Sequence, residues 1–225
     1  MDSPYIECSA VSRQYKGKRE TINAVSNVSI LISKGELVLL KGRSGAGKST
    51  LLNLIGGLIS PSSGKIMVDE MNLNNIDNKT LSRLLLDKIG IIFQDLNLLP
   101  TYTVYENVEI ALVPKGMHRN EIRDLVLPLF GQFGLEDKID TFPEELSAGQ
   151  QQKVAIIRTL AKQPAIILAD EPTASVDEET GKEILESLRK MRDERGVTVI
   201  IATHGTAADF IADRIIYIEN GYIKK

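Results

Sequence analysis

The chain of 225 residues contains no tryptophan, one cysteine, two histidines and only 5% aromatic residues. A lone cysteine, Cys8, excludes an internal disulfide, and nothing else points to an oxidising compartment. Net charge is small, with 27 basic against 30 acidic residues giving −3, so the chain lacks the basic footprint of a nucleic-acid surface and no nucleic acid is expected as a partner. Long apolar runs are missing too: no segment approaches the roughly 18 uninterrupted residues of a membrane span. Met1 to Glu7 has neither the basic stretch nor the apolar run of a signal peptide. A cytoplasmic location is expected, with any membrane role supplied by a partner. Repeats, low-complexity tracts and long Pro/Gly/Ser linkers are also absent.

With 43% hydrophobic and 25% charged residues, the composition is that of a globular protein with a sizeable core. The length suits one unit with two lobes. The opening third reads as strands. Val28, Ile30 and Ile32 alternate with Ser29, Leu31 and Ser33, and Lys34-Gly35 turns the chain into the apolar run Leu37 to Leu40. A glycine-rich loop follows. From Ser49 to Ile59 the apolar positions recur at helical spacing, and Pro61 with Gly64 marks the expected stop.

The middle, 96–161, carries helical patterns around Val104 to Val113, Asn120 to Phe133 and Ser147 to Ala161, and is expected to form an inserted helical lobe. The core lobe is then 1–95 with 162–225. The last third returns to apolar runs at Ala165 to Ala169 and Val197 to Ala202, separated by the polar helical stretch Glu178 to Glu194. That alternation predicts parallel strands with helical crossovers, an α/β fold.

The segment Gly42-Arg43-Ser44-Gly45-Ala46-Gly47-Lys48-Ser49 satisfies the P-loop pattern and lies between a predicted strand and a predicted helix. Its glycines let the backbone turn amide groups toward phosphate oxygens, and the following helix adds the positive end of its dipole. A charge-assisted hydrogen bond from Lys48, worth about 1.5–3 kcal/mol, outweighs the about 0.3–1 kcal/mol of the helix end. Ser49 offers a hydroxyl to Mg²⁺, and Thr50 adds a second at the same helix start. A glycine turn ahead of a core helix is the alternative, but chance matches arise in on the order of one per hundred chains this long.

The run Ile166 to Ala169 ends in Asp170-Glu171, placing two acids where open α/β sheets bind ligands. Asp170 is expected to hold Mg²⁺ through water, and Glu171 to polarise the attacking water. Acids at a strand end are usually just solvated; the P-loop upstream is what gives these weight. A guanine-nucleotide reading fails, because Asn78-Lys79-Thr80-Leu81 lacks the final aspartate of N-K-x-D.

Upstream of the acids stands Leu146-Ser147-Ala148-Gly149-Gln150, at the spacing of the signature motif of ABC-transporter ATPases, which the sequence resembles over nearly its whole length. The resemblance extends to Tyr15 as the adenine-stacking aromatic, Gln94 as the switch glutamine and Mg²⁺ ligand, Ser175-Val176-Asp177 as the loop at the dimer interface, and His204 as the switch histidine. Ile89 to Val113 and Gln150 to Val154 look most like the macrolide-export and lipoprotein-release branch. The resemblance implies a P-loop NTPase core with an antiparallel β subdomain and a head-to-tail dimer. In it each ATP is clamped between one subunit's P-loop and the other's Ser147, Ala148, Gly149 and Gln150. It implies a second copy or a paralogous ATPase subunit, and an integral membrane permease that holds the cassette at the inner face of the cell membrane and is driven in the sense of export or mechanical transmission of force.

Other readings stay beside these. Ser147 also suits an ordinary N-cap, Tyr15 an aromatic covering a sheet, and Leu96 to Tyr102 either core or a groove for a permease helix. His118 reads as a surface residue. A cassette serving cell division or signalling without moving a solute shares all these motifs. ABC ATPases of DNA repair or translation carry coiled-coil or zinc insertions or tandem cassettes, and this sequence has none. Three departures stand out: Ala148 for the usual glycine, Lys153 for arginine, and Ala174-Ser175 after the acids.

Overall fold

In a computed structural model of the chain, residues 4–17 and 20–224 are described. The strands β1 (Ile6–Lys16) and β2 (Thr21–Ile32) pair antiparallel, and the sheet they begin is completed by β4 (Ser63–Val68) and β5 (Met71–Asn72) in the order β2-β1-β4-β5. In β2 the expected alternation holds: Val28, Ile30 and Ile32 are buried while Leu31 is exposed.

The second sheet runs β10-β9-β3-β8-β7-β6, from β3 (Leu37–Lys41), β6 (Ile89–Ile92), β7 (Ile166–Asp170), β8 (Thr198–Thr203), β9 (Arg214–Glu219) and β10 (Tyr222–Ile223). All neighbours are parallel except the β9–β10 hairpin. Its inner strands are covered on both faces, which is why they read as unbroken apolar runs. Leu37, Leu39, Ile167 and Ile201 join one buried cluster, and Val38, Leu40, Leu168 and Ile200 join another on the opposite face. The second cluster contains the antiparallel sheet and α1 (Lys48–Ile55), together with Leu84 of α2 (Asn78–Asp87).

The first cluster is filled by α3 (Val104–Glu109), α4 (Arg119–Gln132), α5 (Ala148–Ala161) and α6 (Glu178–Arg195). Helices therefore occupy the segment expected as a lobe, and their buried residues continue the core of the sheet. Most helix starts are legible as side-chain caps. Thr103 and Glu106 form a capping box on α3, Ser147 and Gln150 one on α5, and Asp177 caps α6. Gly196, in the left-handed region at φ 64°, closes α6.

Three details differ from the sequence reading. The helix after the P-loop ends at Ile55 rather than Ile59, because Gly56-Gly57 follows and Gly57 is left-handed at φ 68°. The pattern Val104 to Val113 splits into α3 and a 3₁₀ turn, Val113–Lys115, whose Pro114 cannot continue an α-helix. Helix α2 is an element the sequence reading did not name, although Leu81, Leu84 and Leu85 recur at helical spacing and pack on the second cluster.

Candidate functional site

Gly42 to Gly47 bridges the C-terminal end of β3 and the start of α1. Two of its glycines are obligatory. A Cβ at Gly42 would sit 2.2 Å from the Ile218 carbonyl oxygen; at Gly47, with φ 105°, it would sit 2.2 Å from that of Ala24. Lys48 is buried, and its Nζ donates to the carbonyls of Gly42 at 2.9 Å and Arg43 at 3.2 Å. The ammonium is thus held over the loop by the loop's own backbone.

Asp170 ends β7 and Glu171 follows it; β7 lies two strands from β3 with β8 between them. Burial pushes the Asp170 carboxyl above the usual carboxylate range, and a hydrogen bond from Ser49 works the other way. Its Oδ1 is buried with no hydrogen-bond partner. An oxygen left like this beside a P-loop serine suits a hydrated cation, and the set Ser49, Asp170 and Gln94 is all oxygen-donating, as Mg²⁺ requires. Glu171 adopts the left-handed region at φ 46°, rare for a side chain of this size, with its amide donating to Ala202 at 2.9 Å. Its Oε1 lies 3.7 Å from Lys48 Nζ and 2.9 Å from Nδ1 of His204.

One cleft of about 590 Å³ is lined by Gly42, Arg43, Ser44, Gly45, Lys48, Ser49, Gln94, Glu171 and His204 from the sequence-predicted set; Asp170 is not part of its lining. Lys41, Ala174 and Tyr217 complete its wall. Arg43 and Lys48 are the cations this lining offers to a polyanion, since the charge of Lys41 is paired with Asp209. Ala46, Gly47 and Thr50 line a smaller adjoining cleft with Ile22, Asn23 and Ala24. Tyr15 lines neither; it pairs across the strands with Ile22, and Arg13 lies 4.8 Å from its ring centre.

Ser147, Ala148, Gly149 and Gln150 lie outside the cleft, at the start of α5. The Gln150 amide donates to Ser147 Oγ at 3.3 Å, and the Ser147 amide to Gln150 Oε1 at 3.0 Å. The N-cap reading of Ser147 is therefore correct as local structure. Ala148 has no positive φ, so its Cβ brings no backbone strain. Gly149 faces Thr180 of α6, where a Cβ would meet the side chain at 3.4 Å. Thr180 in turn donates its amide and hydroxyl to Asp177, at 2.9 and 2.8 Å, holding that carboxyl below its usual range. Lys153, one helical turn beyond Gly149, pairs with Glu183 at 2.7 Å, so its charge is used within the chain. His118 is exposed at the N-cap position of α4, where its amide donates to Glu121 at 2.7 Å.

Sequence reasoning missed Lys41 and its partner Asp209. A charged residue closing an otherwise apolar strand beside a P-loop was a usable signal for Lys41; Asp209 had none. Arg158 was missed as well: from α5 it donates to the carbonyls of Leu96 at 2.6 Å and Asn97 at 2.7 Å, in the segment just after Gln94.

A parallel sheet with a P-loop at one strand's end and two acids at another's defines an α/β P-loop protein that handles nucleotide phosphates. The comparisons narrow this. A family profile described as ABC transporter matches residues 25–174. The ABC transporter ATP-binding protein MJ0796 of Methanocaldococcus jannaschii is 41% identical over 98% of this chain and 95% of its own length. A dimeric structure of MJ0796 in a post-hydrolysis state bound to ADP and Pi superposes with a TM-score of 0.93 at 40% identity, covering 98% of this chain and 97% of that one. Methionine import ATP-binding protein MetN 1 of Listeria monocytogenes is 43% identical over 97% of this chain, which spans 64% of that relative's length. A structure of cbiO1 from Clostridium perfringens, part of the ABC transporter complex cbiONQ, gives a TM-score of 0.86 at 30% identity, covering 100% and 88%. The chain belongs to the ABC transporter family, as an ATP-binding, ATP-hydrolysing cassette.

Proposed function

We propose that two such cassettes pair head to tail, each ATP held between the P-loop of one and the helix start Ser147–Gln150 of the other. Hydrolysis then drives a separate membrane permease, in the export or force-transmitting sense of the branch it resembles. The observation that carries this reading is the placement of α5. Its capped N-terminus exposes Ser147 and Ala148 but lies outside the phosphate cleft, so only a second molecule brings the two together. The dimeric form of MJ0796 supports the pairing, and the cbiONQ complex supports a membrane partner. A methionine-import relative of similar identity leaves the direction of transport resting on the branch resemblance alone.

In this reading Lys48 and the loop amides bind the β- and γ-phosphates, and Tyr15, across from Ile22 at the cleft's edge, stacks on adenine. Ser49, Asp170 and Gln94 would hold Mg²⁺, which supplies charge neutralisation on the phosphate oxygens. Glu171 accepts a proton as water attacks the γ-phosphorus and the bond to the ADP oxygen breaks. Nδ1–H of His204 orients the Glu171 carboxylate. Asp177 fixes the loop at the pairing surface by capping α6. The helices 104–161 move as a lobe relative to the core, and exposed Leu99, Tyr102, Ile110 and Val113 offer apolar surface for the permease. The cassette then sits on the cytoplasmic face of the membrane through that partner.

Glu171→Gln tests the reading: ATP and Mg²⁺ should yield a persistent dimer on a sizing column, with turnover reduced about 100-fold or more. Near-normal turnover, or nucleotide bound by a species that stays monomeric, overturns it.

A further inference from the structure

Lys41 is a cation where strand packing disfavours one. It closes β3 just ahead of Gly42, and its side chain is only 7% exposed. A buried ammonium is tolerated when it is paired and hydrogen-bonded. Here Nζ donates to both carboxylate oxygens of Asp209, at 2.8 and 2.9 Å.

Strand register shows what the pair does. Lys41 lies opposite Thr203 in the parallel β3–β8 ladder, and Thr203 immediately precedes His204. The chain leaves β8 there, and it settles again in the 3₁₀ turn Asp209–Ile211, where the Asp209 amide donates to Thr206 at 3.0 Å. The segment 204–208 therefore departs beside Lys41 and is pinned back to Lys41 at its far end. The His204 side chain itself is 66% exposed and meets Glu171 through a single hydrogen bond. Packing leaves the imidazole free to swing; the anchoring of its loop does not.

We propose that Lys41 is a positioning residue, whose ion pair with Asp209 staples the His204 loop and so keeps the imidazole on the Glu171 carboxylate during hydrolysis. The inference rests on the roles proposed for Glu171 and His204. Freeing one end of a short loop multiplies its conformers, and a misplaced orienting group lowers the rate of the chemical step more than it lowers binding. A Lys41 that contacted phosphate directly would act on ATP affinity instead.

Lys41→Met is the informative change, because it leaves Asp209, 37% exposed, to water; Asp209→Ala would strand the buried ammonium. Single-turnover and steady-state ATPase measurements should show kcat reduced about tenfold with KM for ATP changed less than about twofold. In a His204→Ala background the same substitution should change the rate by less than about twofold, since the two act through one step. Equal losses in both backgrounds, a loss confined to KM, or a His204→Ala enzyme with normal kcat each overturn the proposal. Should Lys41→Met fail to fold, Lys41→Gln retains a donor for Asp209 without the charge, and the same cycle is read from it. A wild-type protein without ATPase activity would sink the reading of the site as a whole, whereas an active wild type matched by Lys41→Met removes this inference alone.

Discussion

Asp170 sets stability against function. Its carboxyl titrates above the usual range because burial penalises the anion, and one of its oxygens is left without a partner. A folded-state value above the unfolded one means that this group favours folding only at acid pH and loses that contribution as pH rises through its folded-state pKa. The nucleotide-free protein is therefore less stabilised by this group at neutral than at acid pH. Asp170→Asn is expected to raise the calorimetric Tm at pH 7 and to shrink the gain on acidification, while abolishing the strengthening of ATP binding by Mg²⁺ that titration calorimetry of the wild type should register. A lower Tm with Mg²⁺-dependent binding intact would contradict this. Cys8 shows the other consequence of burial: its thiol is pushed up to about 12 and is 1% exposed, which makes it structural packing in β1.

Helix α5 connects two functional ends. It begins at the Ser147–Gln150 capping box and carries Arg158 near its last turn, gripping Leu96 and Asn97 beyond Gln94. A rigid helix of 14 residues, about 21 Å long, thus ties the segment after Gln94, the proposed cation ligand, to the surface proposed to receive a partner's nucleotide. Along α6 it is braced by Gly149 on Thr180 and Lys153 on Glu183. Arg158→Met should release the 95–99 segment, raising its amide exchange rates about tenfold or more by mass spectrometry while leaving KM for ATP within about twofold. Unchanged exchange there would show that the grip is dispensable. The helices themselves were legible where chemistry marked their ends: Asn120 to Phe133 and Ser147 to Ala161 fall within one residue of α4 and α5. Helix α2 was legible too, in the Asp77 cap and the spacing of Leu81, Leu84 and Leu85, but the sequence reading did not name it. The helix after the P-loop stops at Gly56-Gly57, well short of Pro61, because the left-handed Gly57 ends it first.

For the molecule as a whole, ligand binding and folding are linked, because the cleft draws its wall from β3, α1, β9 and the loops that follow β6, β7 and β8, and exists only in the folded chain. ATP with Mg²⁺ at about 100 times its dissociation constant should stabilise the protein by about 2.7 kcal/mol. At about 2–4 °C per kcal/mol for a chain of this size, Tm should rise by roughly 5–11 °C. Differential scanning calorimetry of wild type and Lys48→Ala checks it; the variant should lose most of the shift. An equal shift in both would mean that the nucleotide binds elsewhere.

What the amino-acid order determined unaided was every feature contained in one short stretch. The P-loop was readable because its amides, its lysine and its serine act within eight consecutive residues. The acids were readable because an apolar strand ends in them, and the signature helix because its cap is local. Only the tertiary structure decided which of these meet. His204 reaches Glu171 across 33 positions and Lys41 reaches Asp209 across 168, because β8 lies between β3 and β7 in the sheet. The orphaned oxygen of Asp170 and the separation of Ser147 from its own cleft likewise appear only in three dimensions. Periodicity encodes which face of an element is buried, whereas strand order is set by long-range packing, and that packing leaves no trace in any single window of sequence.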